Sequence, residues 1–299
     1  MELQWPLIFF TTFSAWACGV FACQGVLALA DAKHDKAACS KKTQSILSAI
    51  SVVLLAIGGI AVFFHLEHWE RIFNGFGHIT SGITQELIAI VVFVVVVLIY
   101  FIVLRKTDEQ HALPKWLAAL AIVISIVLVC VCAHSYMMAA RPVWNTWLEV
   151  LSLVGASCLL GPVTCAIVMA CRGEEMQVCG LPCIAGSVLG VLCTVAYALF
   201  IQMSSSSFTS VGNYFDPNHP TSAMIDVSSI ASSQTPLLWI GAVLVGAIIP
   251  LICVCIAKRK GGASAWKVFG AIALVAAFVG AVCLRVAFYN MGLSVFMFY

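Results

Sequence analysis

Charge is what this chain has least of. Asp, Glu, Lys and Arg make up 9% of its 299 residues, against 62% hydrophobic residues, where a soluble domain carries about a quarter charged. A soluble fold has no means of hiding so much apolar surface. The net charge is only +2 and no basic stripe is present, which excludes a nucleic-acid partner. No Rossmann fingerprint, P-loop, zinc motif or nucleophile elbow interrupts the apolar sequence. The apolar runs are solid rather than alternating, which excludes a transmembrane barrel. Fourteen cysteines include no CxxC pair. Cys171, Cys179 and Cys183 have a spacing that permits chelation, but small residues packed between helices are the plainer reading, and no metal is expected.

What the chain does have is eight long apolar stretches, at about 5–30, 45–65, 84–104, 115–138, 147–171, 180–203, 236–257 and 265–289. A hydrocarbon core of roughly 30 Å takes about 20 apolar residues per helix, and in lipid every backbone N–H and C=O must be satisfied within the protein. The expectation is therefore an all-α, polytopic membrane protein: a bundle of eight transmembrane helices forming a single integral membrane domain over residues 1–299. The stretch Met1–Ala30 has no basic start, so it reads as a retained first helix rather than a signal peptide. Gly58-Gly59 and Gly155…Gly161-Pro162 read as helix packing or kinking positions.

The few cations are unevenly placed. Twelve of the fifteen lie in alternate connections, at residues 31–44, 105–115, 172–179 and 258–267. By the positive-inside rule these connections face the cytoplasm and both termini lie outside. The longest outer connections, 66–83 and 204–235, are a lid, a partner surface or a linker. Trp5, Trp69, Trp144, Trp147 and Trp239 fall near the outer boundary, as an interfacial aromatic belt would.

An ionisable side chain inside a membrane is costly and marks either a structural pair or a functional site. His65 ends the second stretch, Glu86 opens the third, His134 lies late in the fourth, and Arg285 lies in the eighth. Arg141 and Glu149 bracket the connection at 139–146. All six belong to the outer half. Imidazole, as a residue type, exchanges protons near neutral pH, so His65 suits proton transfer and Glu86 suits a relay. Arg285 paired with Glu86 is the simple structural account of a buried cation. His134 reads as a packing residue, and Glu149, Arg141 and His68 as solvated rim groups. A transmembrane haem wants facing axial histidines; one possible pair, His65 and His134, is too little, and no haem is expected.

The run His65-Leu66-Glu67-His68-Trp69-Glu70-Arg71-Ile72-Phe73-Asn74 resembles an element of the membrane anchor subunit of anaerobic dimethyl sulfoxide reductases, which begins His-Leu at a helix end with Arg-x-Phe-Asn shortly after. Gln85-Glu86-Leu87, Pro142-Val143-Trp144, Gly161-Pro162 and Arg285-Val286-Ala287-Phe288-Tyr289 resemble further family elements in the same order. Glu67, His68, Trp69 and Glu70 stand where the family often has small residues or proline.

The resemblance implies a quinol-oxidising anchor in the inner (cytoplasmic) cell membrane. Such a subunit holds an iron–sulfur electron-transfer subunit and a molybdopterin catalytic subunit, carries no haem, and takes menaquinol as its bound substrate in anaerobic respiration. It implies His65 and Glu86 as catalytic residues, with Arg285, Arg71 and Tyr289 completing the quinol-binding set. In that scheme His65 takes the quinol proton, Glu86 passes it to outer water or stabilises the imidazolium, and Arg285 orients Glu86 or stabilises an anionic quinol. The iron–sulfur partner is expected on the outer face, on the connections 66–83 and 204–235. The rival readings are a secondary transporter, whose charges usually lie near the midplane of repeated halves, and a purely structural anchor, in which His65 and Glu86 tolerate substitution.

Overall fold

A backbone in hydrocarbon has no water to bond with, so each apolar run winds into a helix that satisfies its own amides. The computed structural model of the chain describes residues 3–34, 39–65, 78–107, 113–204, 210–211, 224–225 and 227–295. Its elements are α1 (Trp5–His34), α2 (Lys41–Phe63), α3 (Gly82–Lys106), α4 (Lys115–His134), α5 (Trp147–Arg172), α6 (Gln177–Ser204), α7 (Val227–Ser233), a π-helical segment (Leu237–Ile248), α8 (Ile249–Lys260) and α9 (Ala263–Asn290). Among the described residues eight helices are long and apolar enough to cross a membrane; α7, the π-helical segment and α8 form one of them. The protein is an all-helical, multi-pass membrane protein. The expected stretches match these helices to within about one turn, with the extra turns of α7 before the seventh. A two-residue antiparallel pairing, Ser210–Val211 with Met224–Ile225, lies between α6 and α7.

Local chemistry sets the ends. Ser40 and Thr146 cap α2 and α5 by accepting from the amides of Thr43 and Leu148, which occupies donors that a helix start leaves free. Gly173 and Gly261 close α5 and α8 at φ 72° and 69°, where a side chain would be strained. Lys258, Arg259 and Lys260 occupy the last turn of α8, favourable against the negative end of a helix.

The spans α1 and α5 are the most buried. Helix α1 packs on α2, α4 and α5, and α5 packs in turn on α6 and α9. Lipid offers no hydrophobic drive for this association, so close packing and hydrogen bonds supply it. The backbones of α1 and α5 nearly touch: a Cβ added to Gly19 would sit 2.1 Å from the Ser157 carbonyl oxygen, and one added to Gly161 would sit 2.1 Å from the Gly19 carbonyl carbon. The packing role expected of Gly161 is thus met on α1. Buried amides tie α1 to α2, and α2 to α3. Gln24 Nε2 donates to the Gln44 carbonyl at 2.9 Å and to Ser48 Oγ at 3.0 Å, and the Tyr100 hydroxyl donates to Gln44 Oε1 at 2.9 Å. At the same end of the bundle, Glu174 accepts from the hydroxyls of Ser40 and Thr43.

Gly19→Ala is expected to push α1 from α5 and to cost at least about 1–3 kcal/mol, the usual penalty of overpacking. The check is the thermal midpoint of the detergent-solubilised chain, which should fall clearly below wild type.

Candidate functional site

At the end of the bundle opposite the basic connections, a cavity of about 730 Å³ opens between five elements. Apolar side chains make most of its wall, among them Leu7 and Phe10 of α1, Val62 of α2, and Leu87 and Ile90 of α3. Into this wall project His65, Glu86, Ser135, Tyr136, Arg141 and Tyr289. Gly59 also lines it, and a Cβ there would meet nothing within 4 Å; the absent side chain leaves room rather than closing a helix contact. Phe63 and Ile83 line the cavity and are 46% and 62% exposed on the bundle surface, so its side between α2 and α3 faces the lipid.

Three of the expected site residues meet here. His65 sits in the turn just past α2, its amide donating to the Val62 carbonyl at 3.0 Å. Glu86 stands in the first turns of α3, and Ser135 Oγ lies 2.5 Å from its Oε1. The same hydroxyl lies 3.0 Å from the Cys132 carbonyl. A serine has one proton to give. An ionised Glu86 accepts it, whereas a protonated Glu86 can donate to Ser135 and leave the serine hydroxyl to donate to the Cys132 carbonyl. The pair can therefore hold Glu86 with or without a proton. Tyr289, on α9, is 4% exposed, and its hydroxyl lies beside that of Tyr136 without meeting hydrogen-bond geometry, so it has no such partner among the described residues.

Arg285 is elsewhere. It was expected to pair with Glu86, but α9 packs against α5, and the guanidinium meets Glu149 there. Nη1 donates to Oε1 at 2.6 Å, and Nη2 donates to Oε2 at 3.1 Å and to Ser152 Oγ at 2.6 Å. Glu149, expected at a solvated rim, is fully buried. A bidentate fork of this kind satisfies both charges at once. Arg285 is not among the residues that line the cavity.

An aromatic stack joins that ion pair to the cavity. The Arg285 guanidinium lies 4.8 Å from the Phe288 ring centre, Phe288 stacks on Trp144 at 4.6 Å and 13°, and the Arg141 guanidinium lies 4.3 Å over Trp144. Trp144 is buried, and its indole N–H donates to the Phe288 carbonyl at 2.7 Å. It is thus a core residue and not part of an interfacial belt; Trp5 and Trp147, by contrast, are exposed. The Trp144 amide donates to the Arg141 carbonyl at 2.9 Å. That turn sets the two side chains together and turns Arg141, also expected at the rim, into the cavity wall. Half-burial lowers the proton affinity of Arg141 from its ordinary value, because desolvation disfavours the cation. An arginine three residues before a tryptophan in a short connection was the available sequence signal for this contact.

Other expected candidates lie apart. His134 is exposed and stacks on Trp147 at 6.1 Å. Cys171 is exposed while Cys179 and Cys183 are buried, and among the described residues no three His, Cys, Asp or Glu side chains gather as a metal-binding group. Arg71, His68 and Trp69 lie outside the described residues, as do most of the connections 66–83 and 204–235.

A family model described as the DMSO reductase anchor subunit (DmsC) matches residues 1–292. The chain belongs to the DMSO reductase anchor subunit family. No individual curated protein matches it. As an anchor subunit of this family, it holds other subunits of a DMSO reductase-type complex at the membrane. The cavity and the ion pair lie together at one end of the anchor's bundle.

Removing one member of the Glu149–Arg285 pair leaves a buried charge alone. Glu149→Ala is expected to destabilise the anchor by about 3–5 kcal/mol, and the double change Glu149→Met with Arg285→Met to recover most of that loss. Thermal midpoints of wild type, Glu149→Ala and the double variant, compared in detergent, check both statements.

Proposed function

We propose that the cavity binds menaquinol and that this anchor oxidises it, passing the electrons to an iron–sulfur subunit that supplies a molybdopterin catalytic subunit. The observation that carries this reading is a single mostly apolar cavity, open toward lipid, into which separate helix ends bring an imidazole and a hydroxyl-bonded carboxylate. A fused-ring quinol dissolved in lipid is matched by an apolar wall with a few placed polar groups.

The quinol enters between α2 and α3, past Phe63 and Ile83. Oxidation to the quinone releases two protons and two electrons. His65 accepts the first proton from a quinol hydroxyl as general base. Glu86 stabilises the imidazolium or takes that proton onward, with Ser135 exchanging its hydrogen bond as Glu86 titrates. The electrons leave one at a time to a cluster of the iron–sulfur subunit. This chain offers no carrier to take them across the bilayer in this scheme, so that subunit docks at the cavity end. With the basic connections facing the cytoplasm, the cavity end faces the outside of the inner membrane and the protons are released there.

Arg285, neutralised by Glu149, has a positioning role in this reading. It holds Phe288, and through it the Trp144 and Tyr289 side of the cavity. The confinement of cavity and ion pair to one end of the bundle favours an electron-transfer anchor over a transporter with a midplane site.

In the assembled complex, His65→Ala is expected to abolish oxidation of a soluble menaquinol analogue while the subunits stay together. Glu86→Gln is expected to lower turnover by about 10²–10⁴-fold, the range of a lost general acid–base group. Wild-type turnover in both variants would leave a purely structural anchor as the reading.

A further inference from the structure

The role that the sequence assigned to Arg285 is vacant at the cavity, because Glu149 already neutralises that guanidinium. Arg141 is differently placed. It lines the cavity, has no carboxylate partner among the described residues, and its Nε is buried without a hydrogen-bond partner. Its guanidinium is held by the face of Trp144 at 4.3 Å, a contact that uses the plane of the group and leaves its edge N–H donors free. Gly292 packs against the same assembly: a Cβ there would lie 2.3 Å from the indole and 3.1 Å from Arg141 Nη1. A few ångströms of protein thus fix the cation in orientation while supplying no anion. Beside it, the deeply buried Tyr289 hydroxyl also lacks a hydrogen-bond partner among the described residues and lines the same cavity. Two unpaired donors converging on one apolar space call for an acceptor from the ligand, since an unsatisfied buried polar group is costly.

We propose that Arg141, with Tyr289 beside it, is an oxyanion site of the cavity, binding the ring oxygen of a naphthoquinol as it becomes a quinolate. The proposal rests on the reading of the cavity as a quinol site and adds to it the group that stabilises the charge. When His65 takes the proton from one hydroxyl, the O–H bond pair stays on oxygen, and the quinolate monoanion is the species formed. Arg141 donates hydrogen bonds to that oxygen, where the negative charge is greatest. Loss of two electrons to the iron–sulfur partner and of the second proton then gives the neutral quinone, which Arg141 holds less tightly. The cation thereby favours formation of the anion and release of the product.

The test uses the full chain in lipid nanodiscs and two probes of nearly equal shape. 2-Hydroxy-1,4-naphthoquinone is an anion at neutral pH, and 2-methyl-1,4-naphthoquinone is neutral. Arg141→Gln is expected to weaken binding of the anion by about 10–100-fold, the worth of a hydrogen bond to a charged group, and to leave binding of the neutral probe within about threefold. Arg141→Lys, which keeps the charge and loses the planar fork, should retain part of the preference and serves as the readout if the glutamine variant fails to insert. An unchanged preference for the anion in whichever variant is read would overturn the assignment of Arg141 while leaving the quinol site standing. Failure of the wild-type chain to bind either probe would instead remove the quinol reading itself. Nanodiscs of phosphatidylcholine and of phosphatidylglycerol separate the remaining source of an anion. If phosphatidylglycerol suppresses binding of the charged probe in wild type but not in Arg141→Gln, Arg141 is a lipid phosphate site and the proposal falls.

Discussion

A guanidinium in hydrocarbon must find a carboxylate, and much of this end of the bundle follows from where Arg285 finds one. The fork to Glu149 ties α9 to α5 through two charged hydrogen bonds, with Ser152 taking a third N–H. In a low-dielectric interior such a pair is stable only when its geometry is good and further hydrogen bonds support it, and here Glu149 and Ser152 together take three of the N–H groups. The ion pair therefore sets the depth and rotation of α9, and with them the positions of Phe288 and Tyr289. Phe288 then carries Trp144, and Trp144 carries Arg141. One neutralised cation, and one with no carboxylate partner among the described residues, end up at opposite ends of a single aromatic stack.

The same economy of charge shapes the cavity. Its wall is made by side chains that a helix in lipid has anyway, and its polarity comes from helix ends, where the chain enters and leaves the membrane. His65 follows α2, Glu86 opens α3, Ser135 follows α4 and Tyr289 nearly ends α9. Ends are where a polar side chain costs least, near the interface. The small residues at the α1–α5 contact serve the other half of the design. They bring the two most buried helices close enough to act as a frame, around which α2, α3 and α4 leave a gap at one end.

How much of this was legible beforehand depends on the kind of constraint. His65 and Glu86 could be picked out because a titratable group at a membrane boundary is rare in a chain so poor in charge. Gly161 could be read as a packing glycine because lipid-embedded helices need small residues to approach. The partner of Arg285 could not be read. Glu86 and Glu149 both lie in the first turns of a helix at the same end, and nothing in spacing distinguishes them; the choice depends on which helix α9 lies against. Trp144 fitted an interfacial belt by position alone, and only its stacking on Phe288 makes it a core residue. Arg141 fitted a solvated rim for the same reason.

The amino-acid order by itself determined the solvent of this protein, the number of its crossings and the end of the bundle where its buried ionisable groups gather. Each of these follows from local composition, because the cost of burying a charge or an unpaired amide in lipid is paid residue by residue. The tertiary structure alone decided which acid neutralises Arg285, which cation faces the cavity and which aromatic rings join them. Those depend on the lateral order and rotation of helices far apart in the chain, and hydropathy, which looks the same around the circumference of a lipid-embedded helix, carries no record of either.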